Sequence, residues 1–335
     1  MMNKRLKQGT TFLLALALAF PLLTLPGARA ANAIETNRKC SVSFSVSGEG
    51  NELTAAGTDI KVNLYKVADV DVSGNYTATK DFTGLDVSSV RADNNDAASK
   101  WAERAKKAKE KLSDSVKPVD TVTLTGGIGN KDGLDTGLYL VDTPKVITPN
   151  YTYTFTPYLV SLPTNNYYSG NGASDDWIYD LTDSNAIGLK PEEHARYGDL
   201  KINKTLANHN ATTGKKATFV FQIEITPLKS NKTETRIESL DFEAAGDSSV
   251  TITKIPAGAT VKVTEVYSGA SYKLISEKDQ ETTIVATDKD AKGDLASVSF
   301  TNDVDDNMNG GYGVKNNFKL NENGQYQYTE PAEKN

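Results

Sequence analysis

The stretch that decides the fold is "ASVSFTN", residues 296–302. Side chains alternate along a β-strand, so Val298, Phe300 and Asn302 lie on one face of the predicted strand. Valine and phenylalanine belong in a core, whereas an asparagine there costs free energy unless it has a polar partner. The stretch therefore predicts a core strand, and the partner of Asn302 has to come from other strands.

The second half of the chain contains more strands of this kind, separated by turn residues. They are "DLKINKTL" (199–206), "ATFVFQIEI" (217–225), "RIESLDFE" (236–243), "SVTITKI" (249–255), "TVKVTEV" (260–266), "SYKLIS" (271–276) and "ETTIVAT" (281–287). Short strands at this spacing, without a helical period between them, predict an immunoglobulin-like β-sandwich over residues 198–303.

The first half has the same character with one exception. Its predicted strands are "SVSFSVSG" (41–48), "IKVNLYKV" (60–67), "TVTLTG" (121–126), "GLYLVD" (137–142), "YTYTFTPYLVSL" (151–162) and "WIYDL" (177–181). The exception runs from about Asn95 to Leu112, with Asn95 or Asp96 as its cap. It places Ala98, Trp101, Ala102, Ala105, Ala108 and Leu112 at helical spacing. We predict an all-β protein of two sandwiches in tandem, the first with this inserted helix.

The ends of the two domains are set by composition. The stretch "DSNAIGLKPEEHARY" (183–197) breaks the alternation, which puts the boundary between domains 36–190 and 198–303 there. Residues 304–335 read as a linker followed by a hairpin about Asn323-Gly324, or alternatively as a disordered tail.

The N-terminus has the pattern of a secretory signal peptide, residues 1–30. Basic residues are followed by an apolar run from Phe12 to about Leu25 and by "ARA-AN", which predicts cleavage after Ala30 or, as second choice, Ala33. We therefore expect an exported protein without a transmembrane segment in the mature chain. Secretion or display on the cell surface follows from this.

Composition excludes several functions. The formal net charge of -6 does not suit a nucleic-acid partner, which calls for a basic surface. Cys40 is the one cysteine, so no intramolecular disulfide forms, and its alternation with Val42 and Phe44 predicts a buried position. The two histidines, His194 and His209, fit no metal-ligand or catalytic-triad pattern. We expect no metal, no cofactor and no enzymatic action on other molecules.

Alternation also locates a cluster of polar groups on the core side. Lys204 follows two apolar residues that share its face in the first strand of this domain, Glu265 does so in "TVKVTEV", and Asn302 does so in the last strand. A lysine, a glutamate and an asparagine are thus predicted to point inward from three strands.

Such a cluster has a specific chemistry. Burial lowers the pKa of a lysine and raises that of a glutamate, so a neutral amine can attack an amide carbon held close to it. A protonated Glu265 would hydrogen-bond the side-chain carbonyl of Asn302, and a Lys204–Asn302 isopeptide bond would form with loss of ammonia. Alternation alone supports equally an ion pair at the rim with a turn starting at Asn302.

The second half resembles the CnaB-like domains of Gram-positive surface proteins and pilins. The resemblance rests on "GDLKINKTL", "ITKIPAGATVKVTEVYSGASY" and "VSFTND", in this order. In that family a first-strand lysine, the glutamate of the "VTE" segment and an asparagine of the last strand form an isopeptide bond. The resemblance implies the crosslink Lys204–Asn302, with Glu265 promoting its formation.

The first half resembles the N-terminal domain of sortase-assembled backbone pilins through "IKVNLYKVADVDVSGNY", "GLDTGLYLVDT" and "YTFTPYLVSLP". Two departures matter. The segment "WIYDLTDSNAIGLKPE" has no Tyr-Pro-Lys motif and offers only Lys190 as an intersubunit lysine, and the sequence ends "YTEPAEKN" without a Leu-Pro-x-Thr-Gly signal. These departures favour a minor, basal or tip subunit over a backbone subunit.

Two functions follow from these resemblances. The first is a structural subunit of a Gram-positive pilus or surface appendage that supports adhesion, with other pilin subunits and a sortase as partners. The second is a freely secreted protein that binds a host or matrix ligand. An inward lysine in the first domain, Lys66, raises the question of a second crosslink near Asp142, but we expect its amine to reach water instead.

Overall fold

The computed structural model describes residues 23–24, 33–46, 52–88, 90–91, 97–164, 177–182, 186–210, 216–269, 271–305, 317–320 and 326–329. The chain divides into two compact units, Met1–Arg196 and Tyr197–Asn335. Apart from Leu23 and Thr24, the predicted signal peptide (1–30) lies outside the described residues. Within the described part of the chain, no helix has the length and apolarity needed to cross a membrane.

The first unit is built mainly of β-strands. They are β1 Leu23–Thr24, β2 Cys40–Ser45, β3 Asp59–Val70, β4 Tyr76–Ala78, β5 Val90–Arg91, β6 Asp120–Thr125, β7 Ile128–Leu134, β8 Gly137–Asp142, β9 Val146–Ile147, β10 Tyr151–Phe155, β11 Tyr158–Leu162, β12 Asp180–Leu181, β13 Ile187–Gly188 and β14 Pro191–Ala195. The helices are α1 Ala97–Glu110 and two short 3₁₀ helices, Glu52–Thr54 and Lys80–Phe82.

Apart from β1 and β5, which pair with each other, these strands form a sandwich. Nine of them make one sheet, ordered β11-β8-β3-β6-β7-β2-β12 with β13 on β2 and β4 on β3, and a second sheet is ordered β14-β10-β9. Alternating residues of β10, Tyr151, Tyr153 and Phe155, pack in one core with residues of the large sheet such as Val42 and Phe44. The period of two in "YTYTF" is what turns one face of β10 to this core.

Helix α1 covers the other face of the large sheet. Trp101, Ala105 and Ala108 are buried in a separate cluster with Leu138 and Leu140 of β8. Helical spacing thus predicts the packed face correctly at these positions, whereas Ala98 and Ala102 are exposed. Arg104 is also buried on this side of the helix, and its guanidinium lies 4.5 Å from the centre of the Trp101 ring. The proposed caps Asn95 and Asp96 lie outside the described residues.

The stretch 183–197, interpreted from sequence as the domain boundary, contains strands of the first unit. Ile187–Gly188 pairs in parallel with Phe44–Ser45 of β2, and Pro191–Ala195 pairs with all of β10. This segment therefore completes the first sandwich, and the first unit ends after it, at Arg196. A strand in "GGIGNKDG", β7, was also missed, because glycine and charged residues are rare in strands and here occupy an exposed ladder beside β2.

The second unit is a sandwich of two four-stranded sheets. Its strands are β15 Tyr197–Leu206, β16 Ala217–Thr226, β17 Glu234–Phe242, β18 Gly246–Pro256, β19 Thr260–Tyr267, β20 Tyr272–Leu274, β21 Asp279–Thr283 and β22 Ala296–Val304. The sheets are ordered β18-β15-β22-β20 and β17-β16-β19-β21. The predicted all-β class, two sandwiches with a helix in the first, is confirmed.

Two features of this sandwich position the polar cluster. Strand β15 pairs in parallel with β22, with Lys204 opposite Phe300 and Leu206 opposite Asn302. In the facing sheet, Phe221 of β16 is opposite Glu265 of β19. The first and last strands of the sandwich are therefore direct neighbours, and the glutamate comes from the sheet across the core.

The C-terminal region contains two further short strands, β23 Asn317–Leu320 and β24 Tyr326–Thr329. They pair antiparallel, with Leu320 opposite Tyr326. The Asn323-Gly324 turn predicted between them lies outside the described residues.

The burial of Cys40 in the first unit gives a test of its fold. The side chain is fully buried. Burial raises the pKa of the thiol to about 12, and the charge of Arg38 opposes this shift only in part. Because the thiolate is the reactive form, we expect no alkylation of native protein by iodoacetamide at about pH 8 and complete alkylation in guanidinium, measured by intact mass. A control chain carrying Cys40→Ser and Ser297→Cys, at an exposed position, should react in both conditions. Rapid labelling of native Cys40 would contradict the packing of β2.

Candidate functional site: a buried lysine, glutamate and asparagine

Three polar side chains meet inside the second sandwich. Lys204 is 1% exposed, Glu265 is 2% exposed and Asn302 is 0% exposed. Each follows two apolar residues on the inward face of its strand, and those apolar residues are also buried. The period of two along β15, β19 and β22 is the reason that all three point to the core.

The three groups form a closed set of hydrogen bonds. Lys204 Nζ lies 2.8 Å from Glu265 Oε2 and also donates to Asn302 Oδ1. Asn302 Nδ2 donates to Glu265 Oε1 over 2.7 Å. Each side chain therefore contacts the other two, and both carboxylate oxygens are used within the cluster.

The orientation of the amide differs from the sequence prediction. Glu265 was expected to donate to the carbonyl oxygen of Asn302, but that oxygen accepts from Lys204, and Glu265 accepts from the amide nitrogen. The reason lies in the donor count. A protonated lysine amine can only donate, so Lys204 bonds to the carbonyl oxygen of Asn302. The amide N–H of Asn302 is then left to donate to the carboxylate of Glu265.

Aromatic side chains surround the cluster. Lys204 Nζ lies 4.4 Å from the centre of the Phe219 ring, within the range of a cation–π contact. Phe219 is itself held edge-on by Phe242 and Tyr272, with ring centroids 5.6 Å away in both cases. Next to them, the rings of Phe221 and Phe300 are 5.2 Å apart. The Phe219 ring over the amine thus offers it no competing hydrogen-bond acceptor.

Burial changes the acid–base behaviour of the lysine. Removal from water lowers the pKa of Lys204, and the hydrogen bond and charge of Glu265 oppose this shift only in part. A lowered pKa makes the neutral, nucleophilic amine easier to reach. The arrangement therefore places a potential nucleophile, a proton acceptor and an amide within contact of one another.

The other lysines singled out by sequence lie elsewhere. Lys190 is exposed between β13 and β14. Lys66 has its amine 2.6 Å from the carboxylate of Asp69 and is partly exposed, while Asp142 is paired with Lys109 at 2.8 Å. Around Lys66 both faces of β3 carry buried residues, and the pairing with β8 shifts register between Lys66 and Ala68, so strict alternation no longer applies.

The described residues contain no cluster of side chains suited to bind a metal ion. Among them, no three histidine, cysteine, aspartate or glutamate side chains are grouped as they are in metal sites. His194 is half-exposed beside Thr154 and Glu192, and His209 lies near Tyr272.

Comparison with known families finds a match within the second unit. Residues 200–305 match a family described as a domain of unknown function, DUF5979. This range contains Lys204, Glu265 and Asn302. No curated protein matches the chain.

Comparison with solved structures finds pilins among the matches. The minor pilin GBS52 of Streptococcus agalactiae is 12% identical, with 79% of this chain and 96% of that chain covered and a TM-score of 0.24. The major pilin T3.2 of Streptococcus pyogenes is 14% identical, with 81% and 99% covered and a TM-score of 0.27. The major pilin SpaA of Corynebacterium diphtheriae is 11% identical, with 79% and 100% covered and a TM-score of 0.24. Sequence identities and TM-scores this low assign no function to the chain.

Proposed function

We propose that the second unit crosslinks itself through an isopeptide bond between Lys204 and Asn302, with Glu265 moving the protons. We further propose that the chain is a structural subunit of a Gram-positive pilus or similar surface appendage that supports adhesion, in a minor, basal or tip position. The observation that carries the proposal is the closed, buried set of contacts among these three side chains.

The proposed reaction balances with groups present in the cluster. Glu265 Oε2 takes a proton from the Lys204 ammonium, and the freed amine attacks Cγ of Asn302. Glu265 then moves one proton from the attacking nitrogen to Nδ2, the bond from Cγ to Nδ2 breaks, and ammonia leaves with the remaining proton as ammonium. One amide bond replaces another, so no oxidant or co-reactant is needed. The chain's own residues are consumed once, which distinguishes it from an enzyme with turnover.

Energetics favour a reactive cluster over a plain ion pair. Transfer of a lysine and a glutamate out of water costs several kcal/mol per ion, and their attraction seldom returns more than that. An ion pair that served stability alone would have a smaller desolvation penalty at the rim of the sandwich, where water solvates both charges. A covalent bond removes both the lysine charge and the carboxamide nitrogen, which leaves the glutamate as the one ionisable group to neutralise.

The position of the bond suits a load-bearing module. Because β15 and β22 are parallel, their chain-entry and chain-exit ends lie at opposite ends of the sheet. A pull between them loads the strand pair in shear. A Lys204–Asn302 bond would carry that load covalently, whereas each hydrogen bond of the ladder contributes only about 1 kcal/mol net. The chain between Lys204 and Asn302 would then carry no tension, because the covalent bond transmits the force directly.

The mass of the purified protein tests the bond directly. We expect the parent chain to be lighter than its sequence by one ammonia, and Lys204→Ala to have the full mass calculated from its sequence. Lys201→Ala, on the same strand but on its other face, should keep the loss. An unchanged loss in Lys204→Ala would reject the assignment of the nucleophile.

The role of Glu265 and the value of the bond are tested together by Glu265→Gln, which preserves volume. We expect full mass and a free energy of unfolding lower than that of the parent by about 4 to 5 kcal/mol, because the bond closes a loop of nearly the whole unit. Guanidinium unfolding followed by circular dichroism measures this difference. Glu224→Gln, on the opposite face of a neighbouring strand, should match the parent in both measurements. Loss of ammonia in Glu265→Gln would show that the carboxylate is dispensable.

The location of the protein separates a surface subunit from a free binder. In the organism that carries the gene, immunoblots of cell-wall fractions should show the chain in covalent high-mass species. If Lys190 joins subunits, Lys190→Ala removes the species that extend through it, whereas the exposed Lys145→Ala leaves them unchanged. Recovery of the chain only as a monomer in the culture medium would reject the subunit role and favour a secreted binding protein.

A further inference from the structure

One glutamine connects the two sheets of the second unit at their solvent-exposed side. Gln280 lies on β21, directly opposite Val263 of β19, so its side chain is on the same inward face as Val263 and Glu265. From there it crosses to the other sheet and reaches the backbone of Ser299 on β22. Gln280 therefore links the neighbour of the strand that carries Glu265 to the strand that carries Asn302.

The contact has the pattern of strand pairing. The N–H of Ser299 donates to Gln280 Oε1 over 3.0 Å, and Gln280 Nε2 donates to the C=O of Ser299. A side-chain amide has one donor group and one acceptor, like a peptide, so it can satisfy both backbone groups of one residue. At Ser299 the glutamine stands where an adjacent strand would be.

The edge of β22 needs such a group. Strand β20 pairs with β22 only from Asn302 to Val304, at the end of the strand. Just before that, Thr301 is held by the hydroxyl of Ser276, to which its N–H donates over 3.1 Å, and by the N–H of Ile275. The outer edge of β22 is thus covered by side chains and a loop up to the reactive position.

We propose that Gln280 is a positioning residue for the crosslink: its amide replaces a missing strand on β22 and fixes the register of Asn302 against Glu265. This inference rests on the proposed Lys204–Asn302 bond. A slip of β22 by one residue would turn Asn302 out of the core, because the side-chain period is two. Gln280 touches no reacting atom and acts through the strand that it holds.

The rate of crosslinking tests this inference. Full-length chains are collected unfolded in guanidinium, checked for the uncrosslinked mass and diluted into buffer, and the loss of ammonia is followed by intact mass. Gln280→Ala should crosslink about tenfold more slowly than the parent, the size expected for two lost hydrogen bonds. Asp279→Ala is the matched control. It removes a bond from Thr264 that stays within one sheet, and its rate should equal that of the parent.

A second variant separates positioning from general stability. Gln280→Glu at about pH 7 carries a carboxylate that repels the C=O of Ser299, so it should be at least as slow as Gln280→Ala. Below about pH 4 the acid is protonated, offers one donor and one acceptor again, and its rate should approach that of the parent at the same pH. The neighbouring charges Lys262, Asp279 and Glu281 lie on the outward face and are the same in both chains.

The outcomes are distinct. If Gln280→Ala folds and crosslinks at the parental rate, or if the ratio of Gln280→Glu to parent stays constant from about pH 7 to about pH 4, the positioning role is overturned while the crosslink stands. If the parent itself never loses ammonia, the proposed crosslink fails and this inference falls with it. Circular dichroism after dilution verifies that each variant has folded.

Discussion

The second unit depends on keeping water away from one lysine. The buried amine of Lys204 lies over the Phe219 ring and, within the described residues, hydrogen-bonds to Glu265 and Asn302, which also hydrogen-bond to each other. Any single member left alone in this core would be a buried charge or an unsatisfied amide, which is costly. The apolar core and the polar cluster thus depend on each other. The core excludes water from the cluster, and the hydrogen bonds within the cluster offset the cost of burying its polar groups.

Topology converts this local constraint into a property of the whole unit. The lysine and the asparagine are 98 residues apart in sequence, yet parallel pairing of β15 and β22 makes their strands adjacent. Glu265 arrives from the facing sheet, so the cluster joins both layers as well as both ends of the sandwich. An equivalent cluster on a hairpin would join residues that the turn already connects. A covalent bond there would close only a short loop, whereas the bond proposed here would close a loop of nearly the whole unit and restrict the unfolded chain far more.

Sequence reasoning succeeded where one face of a strand is buried and failed where both are. In β15, β19 and β22 a strict period of two identified the inward residues, including the three polar ones. In β3 of the first unit, helix α1 covers the second face, so Tyr65 and Val67 are buried as well. Alternation therefore no longer predicts which side chains point to the main core. The short strands of residues 187–195 were missed because their partners, β2 and β10, are distant in sequence. The direction of the Asn302 amide could not be read either, since it is set by which donors surround it.

Gln280 shows most clearly why such placement is hidden in the sequence. In "DQETT" it is one polar residue among others, and alternation does not separate it from its exposed neighbours. Its role arises only when two sheets face each other and the last strand has an uncovered edge. A strand edge is normally protected by pairing or by charge. Here the amide of Gln280 does so from the facing sheet, and it ties the strand that carries Asn302 to the neighbour of the strand that carries Glu265. A shift of β22 by one residue would turn Asn302 away from Lys204 and Glu265, because the side-chain period is two.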